Sequence, residues 1–127
     1  MGHRFTKHYT REEASALLPK IRQWLEDLSK LGTKVRHLDG EFKPVLRSGV
    51  DLGGDRVSSW VRAMIRFQEI LGEFERGEIQ LKDIERGLID FPAFVGGKEV
   101  FLCWEKSEKD VEFWHDLDTG FAGRECL

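Results

Sequence analysis

Asp90, Cys103, His115 and Asp116 are the residues of this chain whose side chains offer a metal the right chemistry. Carboxylate oxygen, thiolate sulfur and imidazole nitrogen are the ligand types of zinc and related divalent transition metals. Their spacing matches neither HExxH nor paired CxxC, so no motif supports the set. No cofactor is predicted, and a divalent metal stands as the alternative. The plainer expectation is a hydrogen-bonded, partly buried His115 with solvated or turn-capping aspartates.

A second set lies in "LDTGFAGR": Asp118, Gly120, Gly123 and Arg124. Glycine turns can aim amides at an anion, and an arginine fork can grip phosphate or carboxylate. No helix of useful length follows, so phosphate-loop and dinucleotide readings fail. The plainer reading is a turn with positive φ at Gly120 or Gly123, and Arg124 paired with a neighbouring carboxylate. "LDTG" itself matches the fragment that carries the aspartate of retroviral-type aspartic proteases. Seven residues follow Gly120 here, and two long heptad helices have no place in that fold.

The elements that must position these residues begin at Glu78, where the hydrophobic period becomes 2. "EIQLKDI" places Ile79 and Leu81 against polar neighbours. "GLIDFPAFV" and "KEVFLCWE" flank Gly96-Gly97, a two-residue primed-turn signal. That turn pairs Val95 with Lys98, Ala93 with Val100, Phe91 with Leu102, and Asp90 with Cys103. One face is then apolar, from Ile89 to Val95 and from Val100 to Trp104. The other carries Asp90, Phe94, Phe101, Cys103 and Glu105. In the last strand, Val111, Phe113 and Leu117 on the core face send Glu112, Trp114 and Asp116 outward. His115 then shares the core parity, opposite Cys103 unless a bulge intervenes. Phe94, Phe101 and Trp114 make an outer aromatic patch, a candidate interaction surface.

Two helices precede these strands. Thr10 and Glu13 form a capping box. Leu17, Ile21, Trp24, Leu28, Leu31, Val35 and Leu38 give an unbroken heptad seam that Leu18 and Leu25 widen. Pro19 predicts a kink or break. Val57, Trp60, Met64, Phe67, Leu71 and Phe74 give the second seam, broadened by Val61 and Ile65, with Asp55 as N-cap and Gly77 as stop. The expectation is one α+β domain over 1–127. A helical hairpin (10–38 and 56–76, joined by a loop 39–55) packs on a three- to four-stranded antiparallel meander (78–120), followed by a tail (121–127).

Formal net charge is −3 with both signs interspersed, and hydrophobic residues make up 40%. That balance argues against a dedicated nucleic-acid binder. No apolar run approaches the roughly 20 residues of a membrane span. "MGHRFTKHYTREEA" lacks the apolar stretch of a secretory signal, so a cytoplasmic location is expected. Cys103 and Cys126 imply no disulfide framework.

Three segments carry a resemblance: "FTKHYTREEASALLP", "GEIQLKDIERG" and "GLIDFPAFVGGKEVFLCWEKSEKDVEFWHDLDTGFAGR". Together they resemble the bacterial family catalogued as domain of unknown function 2203, over nearly the whole chain. The family pattern has Gly-Glu where this chain has Ser107-Glu108. The resemblance implies no activity and no site residues, and leaves open whether the protein is an enzyme.

Two functions are therefore expected as alternatives. The first is a non-enzymatic, self-associating interaction module, a homo-oligomer using the aromatic face or the helices. The second is a small metal-assisted or anion-binding hydrolase using Asp90, His115, Asp116, Asp118 and Arg124.

Overall fold

The structure, a computed structural model, describes residues 2–48 and 54–127. It is an α+β fold in which a helical hairpin covers one face of an antiparallel meander. The elements are α1 (Arg11–Ser48), α2 (Gly54–Arg76), β1 (Gln80–Asp83), β2 (Leu88–Val95), β3 (Lys98–Glu105), β4 (Phe113–Asp116) and β5 (Glu125–Cys126). The strands lie in sequence order, and a short 3-10 turn, Phe121–Gly123, precedes β5. No helix among the described residues is long and apolar enough to cross a membrane.

The capping box forms as expected: the Thr10 amide donates to Glu13 Oε1 at 2.9 Å, and the Glu13 amide to Thr10 Oγ1 at 3.1 Å. α1 then runs through Pro19 without a break, and on past Gly40 and Pro44. One missing amide is outweighed by a face that buries Ala14, Leu18, Ile21, Leu25 and Leu28. The helix therefore takes up much of the loop expected over 39–55, and residues 49–53 of that loop lie outside the described residues. Leu18 and Leu25 are among the buried centre of the stripe, not its flank. On α2 the buried residues are Ala63, Ile70 and Phe74, whereas Val61 and Ile65 are exposed. Asp55 sits in the first turn of α2, which starts two residues earlier than an Asp55 cap requires. At the far end the left-handed residue is Glu78, φ 56°, and not Gly77. Gly77 is small for another reason: an added Cβ would stand 3.0 Å from the Tyr9 hydroxyl, which donates to the Gly77 carbonyl.

Gly96 and Gly97 adopt φ values of 59° and 79°, as a primed two-residue turn requires. The β2–β3 register is the expected one throughout, Val95 opposite Lys98 and Asp90 opposite Cys103. Ile89, Phe91, Ala93, Val100, Leu102 and Trp104 form the core beneath the helices.

β4 corrects the expected parity. Its pairs are Val100 with Asp116, Phe101 with His115, Leu102 with Trp114, and Cys103 with Phe113. Trp114 therefore faces the core side with Leu102, and His115 faces outward with Phe101 and Cys103. Val111 is fully buried, as its apolarity demands, but it lies before the strand. Asp110 pins it there by accepting from both the Val111 amide and the Ser15 hydroxyl. Alternation counted from Val111 thus starts in an irregular segment and enters β4 one step out of phase.

The outer face is not bare. Residues 2–10 cross it as a strap. The Tyr9 amide donates to the Pro92 carbonyl at 2.8 Å. Glu99 receives the amides of Arg4 and Phe5 and contacts His8 Nε2 at 2.7 Å. Glu78 receives the Thr6 and Lys7 amides.

Candidate metal centre

Three adjacent strands each bring one residue to the outer face. Asp90 on β2 lies directly across from Cys103 on β3. His115 on β4 lies across from Phe101, two residues from Cys103 and on the same face. Directly opposed Cβ atoms stand about 5 Å apart and diagonal ones about 7–8 Å, so the three side chains can converge on a point. They do: a carboxylate oxygen, Sγ and a ring nitrogen all lie within 4.8 Å of one another, and all three residues are buried.

The ring orientation of His115 is determined by its neighbour. Nδ1 is 2.8 Å from the Asp116 carbonyl, which can only accept, so Nδ1 carries the proton. Nε2 then points its lone pair at the cluster, the arrangement found in metal-ligating histidines. Nε2 and Asp90 Oδ1 are 3.1 Å apart, within ion-pair distance. Their orientation nevertheless misses that of a hydrogen bond, and both atoms are buried without a hydrogen-bond partner among the described residues. Polar atoms left unmatched at this depth cost about 1–3 kcal/mol each. A buried imidazolium–carboxylate pair is the competing reading, but it would place its proton on the line between the two atoms.

A divalent cation placed among them would satisfy all three groups. With bonds of about 2.0–2.1 Å to nitrogen and oxygen, tetrahedral geometry sets those atoms roughly 3.3 Å apart, close to the separation seen here. Without a cation the Cys103 thiol stays protonated: burial pushes it up to about 12, the Asp90 charge pushes the same way, and Arg124 at 3.9 Å only partly opposes them.

Asp116 contributes its carbonyl, which orients the His115 ring. Its carboxylate is directed elsewhere, to Lys98 Nζ at 2.7 Å. The expected anion set does not converge. Asp118 is exposed and pairs with Arg4 at 2.9 Å. Gly120 has φ −116°, and Gly123 is not among the glycines with positive φ, so neither supplies the expected left-handed turn. Gly123 is instead required by packing, since an added Cβ would stand 2.9 Å from Thr119 Cβ. Arg124 follows the plainer reading: its two terminal nitrogens hold Glu108 at 3.0 and 2.6 Å. Its guanidinium also stacks between Phe113 and Phe121, 3.9 and 4.2 Å from their centroids.

The aromatic patch is divided too. Phe101 is buried beneath Phe5, ring centroids 5.3 Å apart, and Trp114 lies on the other face. Phe94 remains exposed, stacked on His8 at 4.1 Å. Beside the cluster opens a cavity of about 260 Å³, with Lys82, Thr119 and Phe121 in its wall. Sequence reasoning overlooked Lys82, although the alternation of Ile79 and Leu81 already turns it to this face.

A family model described as "Uncharacterized conserved protein (DUF2203)" matches residues 7–127. No curated protein matches the chain, and no solved structure does. With nearly its whole length covered by that match, the chain belongs to the DUF2203 family.

Proposed function

We propose that this family member is a metal-binding protein whose centre is Asp90, Cys103 and His115, holding a zinc-like divalent ion. One observation carries the reading: His115 Nε2, with its partner nitrogen committed to a carbonyl, faces Asp90 Oδ1 while both lack a hydrogen bond. The mixed oxygen, sulfur and nitrogen set suits zinc better than magnesium or calcium, which prefer all-oxygen shells. Three protein ligands, with the fourth direction toward a cavity, is the pattern by which zinc sites activate water. Metal-assisted hydrolysis is the activity class this arrangement favours. Titration of chelator-treated protein with zinc tests it: one equivalent should bind, and His115→Ala and Cys103→Ser should each abolish tight binding. Wild-type protein that binds no zinc would remove the reading.

A self-associating module is the second reading, supported by a surface other than the aromatic patch. Val61 and Ile65 are 38% and 52% exposed on neighbouring turns of α2. Light scattering on wild type and Ile65→Glu tests it: a dimer lost in the variant supports the reading, and a monomeric wild type removes it.

A further inference from the structure

We infer that the cavity beside Asp90, Cys103 and His115 receives a small oxyanion, a carboxylate or phosphate group, bound jointly by the metal and by Lys82. The inference rests on the metal-binding reading and adds the class of ligand. Charge is the first support. A divalent ion held by an aspartate and a thiolate is electrically neutral with them, so it offers a further anion an open coordination position but no net charge to attract it. Lys82 supplies that attraction: it lines the same cavity, its ammonium 5.8 Å from the Phe101 ring centroid, and it has no carboxylate partner among the described residues. The two arginines stacked on Phe121 in the cavity wall are committed, Arg86 to Glu105 at 2.9 Å and Arg124 to Glu108 at 2.6 Å.

The wall is the second support. Leu88, Phe101, Leu117 and Phe121 line it with apolar side chains, and low polarity strengthens a lysine–anion contact. Size is the third. A cavity of about 260 Å³ lies below the usual range for drug-sized ligands and suits a compact group.

The test uses the full chain loaded with cobalt(II), whose visible spectrum reports its ligands, titrated with inorganic phosphate and separately with acetate. A saturable spectral change with either anion is expected, and the more tightly bound one identifies the oxyanion type. Lys82→Met should still load cobalt while its anion affinity falls about tenfold or more, as loss of a charge-assisted hydrogen bond implies. Cobalt uptake without a response to either anion, or equal anion affinity in Lys82→Met, overturns the inference and leaves the metal reading standing. Failure to take up cobalt overturns both.

Discussion

His115 Nε2 lies 3.1 Å from Asp90 Oδ1, both side chains at least 95% buried, and no hydrogen bond joins them. Each belongs to a different strand, β4 and β2, with Cys103 of β3 between them. The sheet has thus gathered a carboxylate, a thiol and an imidazole in a poorly solvated place, where unmatched polar atoms are costly.

Metal binding should therefore be a large stabilising term. At zinc concentrations near 100 times Kd the folded state gains about 2.7 kcal/mol, or roughly 10 °C in Tm for a domain of this size. Thermal melts with and without zinc should show that rise in wild type and none in Cys103→Ser. An equal response in both would exclude Cys103 from the site.

The two thiols should differ sharply in reactivity. Cys103 is buried and its thiol is pushed up to about 12, whereas Cys126 is exposed. The thiolate is the nucleophile, so metal-free protein treated briefly with iodoacetamide at mildly alkaline pH should be labelled at Cys126 and spared at Cys103. Peptide mass spectrometry reads the outcome, and comparable labelling would contradict the burial described here.

The strap should release in acid. Partial burial raises Glu99, but the His8 contact and the amides of Arg4 and Phe5 outweigh it and bring the carboxyl from 4.5 down to about 2. A depressed folded value means that the stabilisation is complete above about pH 4.5 and is lost as pH falls toward about 2. Amide signals of residues 4–8 should shift within that window while those of β2 and β3 persist. Glu99→Gln should remove the step.

Arg124 should matter to stability. Its pair with Glu108 is largely buried, with side chains 13% and 17% exposed, and it stacks on two aromatic rings. Arg124→Ala strips Glu108 of its cation and Phe113 of its cover, a loss of about 2–3 kcal/mol. Denaturant melts check this, and a change under about 0.5 kcal/mol, the range of ordinary surface substitutions, would contradict it.

Two of the three residues of the centre, Asp90 and Cys103, were legible in the sequence. Gly96-Gly97 dictates a turn type and hence the pairing of Asp90 with Cys103, because a two-residue loop leaves no freedom in the register. Alternation counted from Val111 puts His115 on the wrong face, because Val111 is apolar and buried yet not in the strand, so the pattern carries no information across Glu112. The strap could not be read at all. Arg4 and Phe5 reach Glu99 across more than 90 residues, and no periodicity records such a contact. The long first helix shows the converse: Gly40 and Pro44 are local stop signals that did not end it, and it continues to Ser48.

The most direct test of the metal centre is X-ray absorption at the zinc edge on protein loaded with one equivalent. The fine structure should show one sulfur at about 2.3 Å and nitrogen or oxygen neighbours at about 2.0–2.2 Å, with the sulfur shell lost in Cys103→Ser. A shell of oxygen and nitrogen alone in wild type, or failure to hold one equivalent of zinc, would contradict the assignment of Asp90, Cys103 and His115 as its ligands.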